Sequence, residues 1–337
     1  MNTARDWELI ANYESYELIK GAYERLHGRT PGTQHAREIA APFSHARSYF
    51  RSARGAELTV KPLLLYYGVV SLSRGLTLLL SRRLRESALT PSHGLSIKDW
   101  DTSLSREKPA FRELRMETGR GGTFVELDRA TASRSLLRTG SSAVNLKYTA
   151  QPLSTGMSFT LGQLLSRQPA LQEHHVRWTN ETDCAPLEIS ADAGAAQAYL
   201  KLQKYGKTHL TQALGDRILH GTPYQFVQED ASMLLYQGPN NLADIPGLSD
   251  QANSNFLGIG DLWVVSRYPS GSELSKISSL FATSYALGML VRYFPTQWTA
   301  LVRGQVEDAA LPTLAAAVEF IEAAFPAGVV DFLQEER

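Results

Sequence analysis

Cysteine is almost missing from this chain: its 337 residues include one, Cys184. A single thiol cannot close an intrachain disulfide, which excludes the stapled scaffolds of oxidising compartments and leads us to expect a cytoplasmic protein. Its acidic neighbours in "NETDCAPLE" would raise the thiol pKa and weaken it as a nucleophile. No Cys/His cluster has zinc spacing, so no metal is expected. Excess charge of one sign is equally absent, with 34 Lys plus Arg against 34 Asp plus Glu. No global field therefore draws the chain to nucleic acid or to an anionic membrane, and any such surface must be local.

The start, "MNTARDWELIANYESY", lacks the basic region and apolar run of an export signal. Two apolar runs, Pro62 to Leu80 and Ile277 to Val291, lie near the lower limit for spanning a bilayer. Arg74 interrupts the first and serines and threonines fill the second, so both read as core helices and no membrane partner is expected. There is no repeat, no GxSxG elbow and no HExxH helix. The "GRGG" at Gly119 to Gly122 is not followed by Lys-Ser/Thr and reads as a hairpin turn, and no cofactor is implied. "EHH" at Glu173 to His175 reads as a surface loop, because adjacent histidines point apart.

The length is enough for one elaborate domain or two interlocked ones. Apolar spacing at Trp7, Ile10, Tyr13 and Leu18 predicts a first amphipathic segment. A second helix is expected from about Pro42, with Phe43, Ala46 and Phe50 as its stripe, and a third from Pro62 to about Leu84. "FRELRMETGRGGTFVELDRAT" reads as a β-hairpin, and "TLGQLLSRQPAL" as a short helix stopped by Pro169. Short candidate strands follow in "APLEIS", "AQAYLKLQKY" (which a helix would also fit), "PYQFVQED", "SMLLYQG" and "DLWVVSRYP". Helices return with one capped by Ser272 and closing before Pro295, and a last one over Leu311 to Phe325. The two long apolar helices lie at opposite ends of the chain, and each needs a partner. The expected fold is therefore α+β: a single domain over 1–337 whose helical core joins residues 1–105 to 271–337. A mostly antiparallel β region, about 106–270, is inserted between them.

On the third helix Leu63, Tyr67, Val70, Arg74 and Leu78 share a stripe, and Gly68, Ser71 and Gly75 form a small-residue stripe beside it. The small stripe predicts close approach by another helix, and we expect that helix to be the one ending near Tyr293. A guanidinium among apolar residues must be answered by a carboxylate, by carbonyls or by an anion. Arg74 is therefore a candidate centre, with His93 in the polar bend "TPSHGLS", Tyr67, and Arg292 from the late helix.

"KPLLLYYGVVSLSRGLTLLL", the following "HGLS", and "SSLFATSYALGMLVRYFPTQW" resemble the bacterial YaaC-like protein family. The matching positions are Lys61, Pro62, Tyr66, Tyr67, Gly68, His93, Gly94, Arg292, Tyr293 and Trp298. The resemblance implies a cytoplasmic bacterial protein without supplying a reaction. It adds Lys61 and Tyr293 to the candidate ligand-binding set of Tyr67, Arg74, His93 and Arg292, of which His93 and Arg74 are also the catalytic candidates. The paired aromatics and the His-Gly turn also look like the helical HEPN class, in which some members cleave RNA with an Arg and a His separated by four to six intervening residues. Arg29 to His35 and Arg167 to His174 match that spacing, one in a Pro/Gly loop and the other across Pro169. We thus expect a binding or interaction protein with a polar, anion-binding or nucleotide-binding centre and a protein partner or self-association. The alternative is a HEPN-like ribonuclease of an antiviral defence or toxin-type system, with RNA as its partner.

Overall fold

Four helices occupy the first eighty residues of the computed structural model, which describes residues 3–136, 146–149, 152–190, 196–204, 210–241, 245 and 262–334. They are α1 (Thr3–Ala11), α2 (Tyr16–His27), α3 (Thr33–Arg54) and α4 (Lys61–Leu80). The expected first segment is split, because Ser15 caps α2 with its side chain and starts a new helix. Leu18 then falls on a different face from Trp7 and Ile10 and is exposed. α3 begins nine residues before Pro42, which sits buried in its interior. A proline there forfeits one backbone bond, and the packed stripe of Phe43, Ala46 and Phe50 carries the helix through it. α4 opens with Pro62 in its first turn, as expected, and ends at Leu80 rather than Leu84.

The middle of the chain carries β1 (Leu95–Lys98), α5 (Trp100–Leu104), β2 (Arg115–Thr118), α6 (Thr123–Ala130), β3 (Ser133–Leu136), β4 (Leu146–Thr149) and β5 (Ser158–Thr160). The expected hairpin is instead a strand, a Gly turn and a helix. β2 lies between β1 and β5, antiparallel to both, so neither of its edges is left for the residues that follow it. Those residues coil into α6 and bury Phe124, Val125 and Leu127. Next come α7 (Leu161–Ser166), α8 (Gln172–Thr179), β6 (Cys184–Ser190), β7 (Gln197–Gln203), α9 (Gln212–Ile218), β8 (Gln225–Glu229), β9 (Met233–Pro239) and β10 (Leu262–Val265). The strands make an antiparallel sheet in the order β10-β6-β7-β9-β8. "AQAYLKLQKY" resolves as strand β7, because Ala198, Leu200 and Leu202 alternate as its buried residues, the two leucines in a core with Leu187, Leu234 and Tyr236.

The chain closes with α10 (Lys276–Tyr293), α11 (Pro295–Val302) and α12 (Leu311–Gln334). Ser272 stands too far before Lys276 to cap α10, and α12 runs past Phe325 and through Pro326. The fold is α+β. It divides into a helical unit, Met1–Ser133 with Thr149–Gly162 and Lys276–Arg337, and a second unit of Arg134–Tyr148 with Gln163–Ser275. Residues from both ends of the chain thus build the helical core, and the larger sheet belongs to the inserted unit.

Within the helical unit α4 packs on α10, where a Cβ at Gly288 would stand 2.7 Å from the Cβ of Tyr66. The small-residue stripe serves a different neighbour from the one expected. A Cβ at Gly68 would meet the Phe50 ring at 2.6 Å and one at Gly75 the Phe43 ring at 2.9 Å, so both glycines make room for aromatics of α3.

Candidate functional site

Tyr66 lies at the centre of the helical unit and is fully buried. Its ring meets Phe281 and Tyr285 of α10 edge to face, at centroid distances of 6.1 and 5.7 Å. Its hydroxyl stands 2.6 Å from His93 Nδ1, and no other hydrogen-bond partner is found for it among the described residues. Burial pushes this phenol far above its ordinary pKa, with Tyr285 and Tyr67 adding to the effect. Tyr66 therefore keeps its proton, and because Nδ1 is the one acceptor within reach of this buried hydroxyl among the described residues, the hydroxyl donates there. Burial, and then the positive charge of Arg292, hold His93 below the usual histidine pKa. A neutral imidazole that accepts at Nδ1 carries its hydrogen on Nε2.

His93 owes its position to two glycine turns laid against each other. Gly119 N–H donates to the Gly94 carbonyl (2.9 Å), Thr123 N–H to that of Ser92 (3.0 Å) and Phe124 N–H to that of His93 (3.0 Å). Gly122 has φ +107°, and a Cβ there would sit 2.4 Å from Ser92 Oγ and 2.5 Å from Gly94 N. Gly94 has φ +79°. The "GRGG" segment does stand between a strand and a helix, contrary to expectation. Yet the leading N–H groups of α6 are taken by backbone carbonyls, so the turn clamps His93 instead of cradling a phosphate.

Tyr285 completes the buried side: its hydroxyl donates to the Leu95 carbonyl at 3.1 Å, and burial pushes its pKa up to about 12. Arg292 forms the outer side. It is exposed, its Nη1 donates to the Tyr67 hydroxyl at 3.2 Å, and its guanidinium lies 5.1 Å from the centroid of the exposed Tyr293 ring. Tyr67 in turn stacks on Tyr49 at 5.6 Å. Arg292 makes no ion pair with a described carboxylate.

The other candidates have carboxylates of their own. Lys61 is buried, with Nζ 2.7 Å from both Glu319 Oε1 and Glu322 Oε2 of α12. Burial alone would lower its pKa, but these two acceptors lift it above the ordinary value. Arg74 is half-buried and makes a loose pair with Glu86 at 3.7 Å. The two adjacent tyrosines of α4 also part company: Tyr66, not Tyr67, holds His93. Neither spaced Arg/His pair shares a continuous helix. Arg29 lies in the loop before α3, which carries the buried His35. Arg167 is buried against Asp183 at 2.8 Å, the Ser266 carbonyl at 3.1 Å and the Tyr268 ring, while His174 lies on α8 beyond Pro169.

"EHH" is on helix α8 rather than in a loop, and His175 is spent on the Glu181 carbonyl. Burial first, and Asp183 as well, push the Cys184 thiol up to about 12. Among the described residues no group of acidic, His and Cys side chains could hold a metal ion.

Sequence reasoning passed over Tyr66 as a site residue, together with Tyr285 and Tyr49. The aromatic pair in "LLYYG" was the available signal for the first. Comparison with curated proteins gave no match, and neither did comparison with solved structures. A family model described as YaaC-like protein matches residues 10–333, a span that holds α4, the His93 turn and α10 alike, and this chain belongs to the YaaC-like protein family.

Proposed function

We propose that the chain is a cytoplasmic protein that binds a small anionic ligand, received by Arg292, Tyr67 and His93. The observation that carries this reading is the charge left over at the site. Lys61, Arg74 and Arg85 each face a carboxylate, whereas among the described residues the Arg292 guanidinium meets the Tyr293 ring and the Tyr67 hydroxyl and no carboxylate. A cation held by neutral groups beside a buried aromatic cluster is complementary to an anion. His93 supports the reading because it is neutral and can donate to the same ligand. The buried lone thiol fits a reducing compartment.

Calorimetric titration of the whole protein with sodium sulfate tests the reading. Binding should be measurable, weaken at least about tenfold in Arg292→Met, where a charge-assisted hydrogen bond is lost, and persist in Arg29→Met. Equal affinity in the wild-type and Arg292→Met proteins would refute it.

A further inference from the structure

We infer that the anion received at Arg292 carries a flat aromatic ring, which stacks on Tyr293 while the charged group meets the guanidinium. The inference rests on the anion-binding reading and deepens it by naming the class of ligand. Exposed tyrosines scattered singly over a surface need no explanation. These are not scattered. Three helices, α3, α4 and α10, bring Tyr49, Tyr67, Arg292 and Tyr293 into one run of contacts: the Tyr49 and Tyr67 rings stack at 5.6 Å, the Tyr67 hydroxyl lies 3.2 Å from Arg292 Nη1, and the Arg292 guanidinium lies 5.1 Å from the Tyr293 centroid. Tyr293, at 54% exposure, is the most exposed aromatic residue among those described. The guanidinium covers at most one face of its ring, and a tyrosine covered on the other face as well would not keep half of its surface, so one face is open to a second planar group. Of the five N–H groups of Arg292, one is spent on the Tyr67 oxygen, and no other acceptor is found for the rest among the described residues. An anion on those N–H groups stands beside the open ring, and a flat substituent on that anion gains stacking there whatever the identity of its ring. A bare oxyanion would use the charge and leave the ring in water.

Calorimetric titration of the full chain at about pH 8, where phosphate monoesters are dianions, tests this with two pairs of compounds that differ by the ring. One pair is adenosine monophosphate and ribose 5-phosphate; the other is phenyl phosphate and methyl phosphate. We expect a ringed member to bind about tenfold more tightly than its partner, a gap in the first pair pointing to a nucleobase and one in the second to a simple arene. Tyr293→Ala, a change at the surface, should shrink that gap to about twofold or less by weakening the ringed member, whereas Arg292→Met should weaken both members. Equal affinities within both pairs, or esters that fail to bind where sulfate does, would overturn the inference while leaving an anion site intact. So would a Tyr293→Ala protein that loses affinity for both members alike, because the ring would then serve only to hold Arg292. A dimer in sedimentation that dissociates in Tyr293→Ala would overturn it too, by assigning the ring to a second copy of the chain. No response to any of the esters or to sulfate would remove the anion-binding reading, and this inference with it.

Discussion

The hydrogen bond from Tyr66 to His93 joins the most buried hydroxyl of the site to its imidazole. Removing it should be felt in two ways. Tyr66→Phe leaves Nδ1 unmatched, so urea unfolding should show a loss of about 1–2 kcal/mol. It also withdraws a bond that favours the neutral ring, so the His93 pKa, followed by NMR, should rise relative to wild type. The sign of the wild-type pH dependence follows from the same pair. The folded pKa of His93 lies below the unfolded one, so its contribution to stability is complete above about 6.5 and is lost as pH falls below that value. His93→Gln should flatten this part of the acid limb; an unchanged limb would show that other groups govern it. Much of this was legible beforehand: His93 stood out as a histidine in a tight polar turn, and Arg292 as a cation at a helix end. Which of Tyr66 and Tyr67 would meet the histidine was not. Neighbours on a helix differ by 100°, and only the position of α10 shows which of them faces inward.

At the scale of elements, the glycines decide how closely helices approach. In an open helix Gly68→Ala would stabilise by up to about 1 kcal/mol. Here the new methyl group meets the Phe50 ring at 2.6 Å, and overpacking should turn the gain into a net loss of about 1–2 kcal/mol in thermal or urea unfolding. Neutral or stabilising behaviour would mean that α3 can slide away from α4. Gly122→Ala should be worse, because it combines φ +107° with a contact to the Gly94 backbone, and it should also disturb the His93 ring signal. The sequence displayed the small stripe but could not say which helix would use it, since α3 and α10 are both apolar enough to compete. The false hairpin has a similar origin. "FVELDRA" suits either a strand or one face of a short helix, and the choice fell to helix because β5 had already taken the free edge of β2.

At the scale of the whole molecule, the need of two long apolar helices for each other was the strongest signal in the chain, and it correctly joined its ends. The positions at which the inserted unit begins and stops were not visible, since no linker composition marks residue 134 or 275. One ion-pair cluster ties the ends together: Lys61 at the start of α4 reaches Glu319 and Glu322 of α12. Replacing both glutamates with glutamine strands a buried ammonium and should cost about 3 kcal/mol. Because the cluster spans both ends, fluorescence of Trp7 and Trp298 should still be lost in a single transition, now at lower urea. Two separate transitions would show that the ends unfold independently.

The order of assembly has a consequence in time. α4 leaves the ribosome with α3 already made, so its glycine face can be covered at once, but the face that bears Tyr66 waits for α10. Roughly two hundred residues separate the two helices, which at bacterial or eukaryotic rates of synthesis is a delay of about 10–40 seconds. Through that interval the nascent chain displays an apolar stripe whose permanent cover does not yet exist. Stalled chains that end before residue 276 should therefore recruit a holdase chaperone, and chains that extend past α12 should release it.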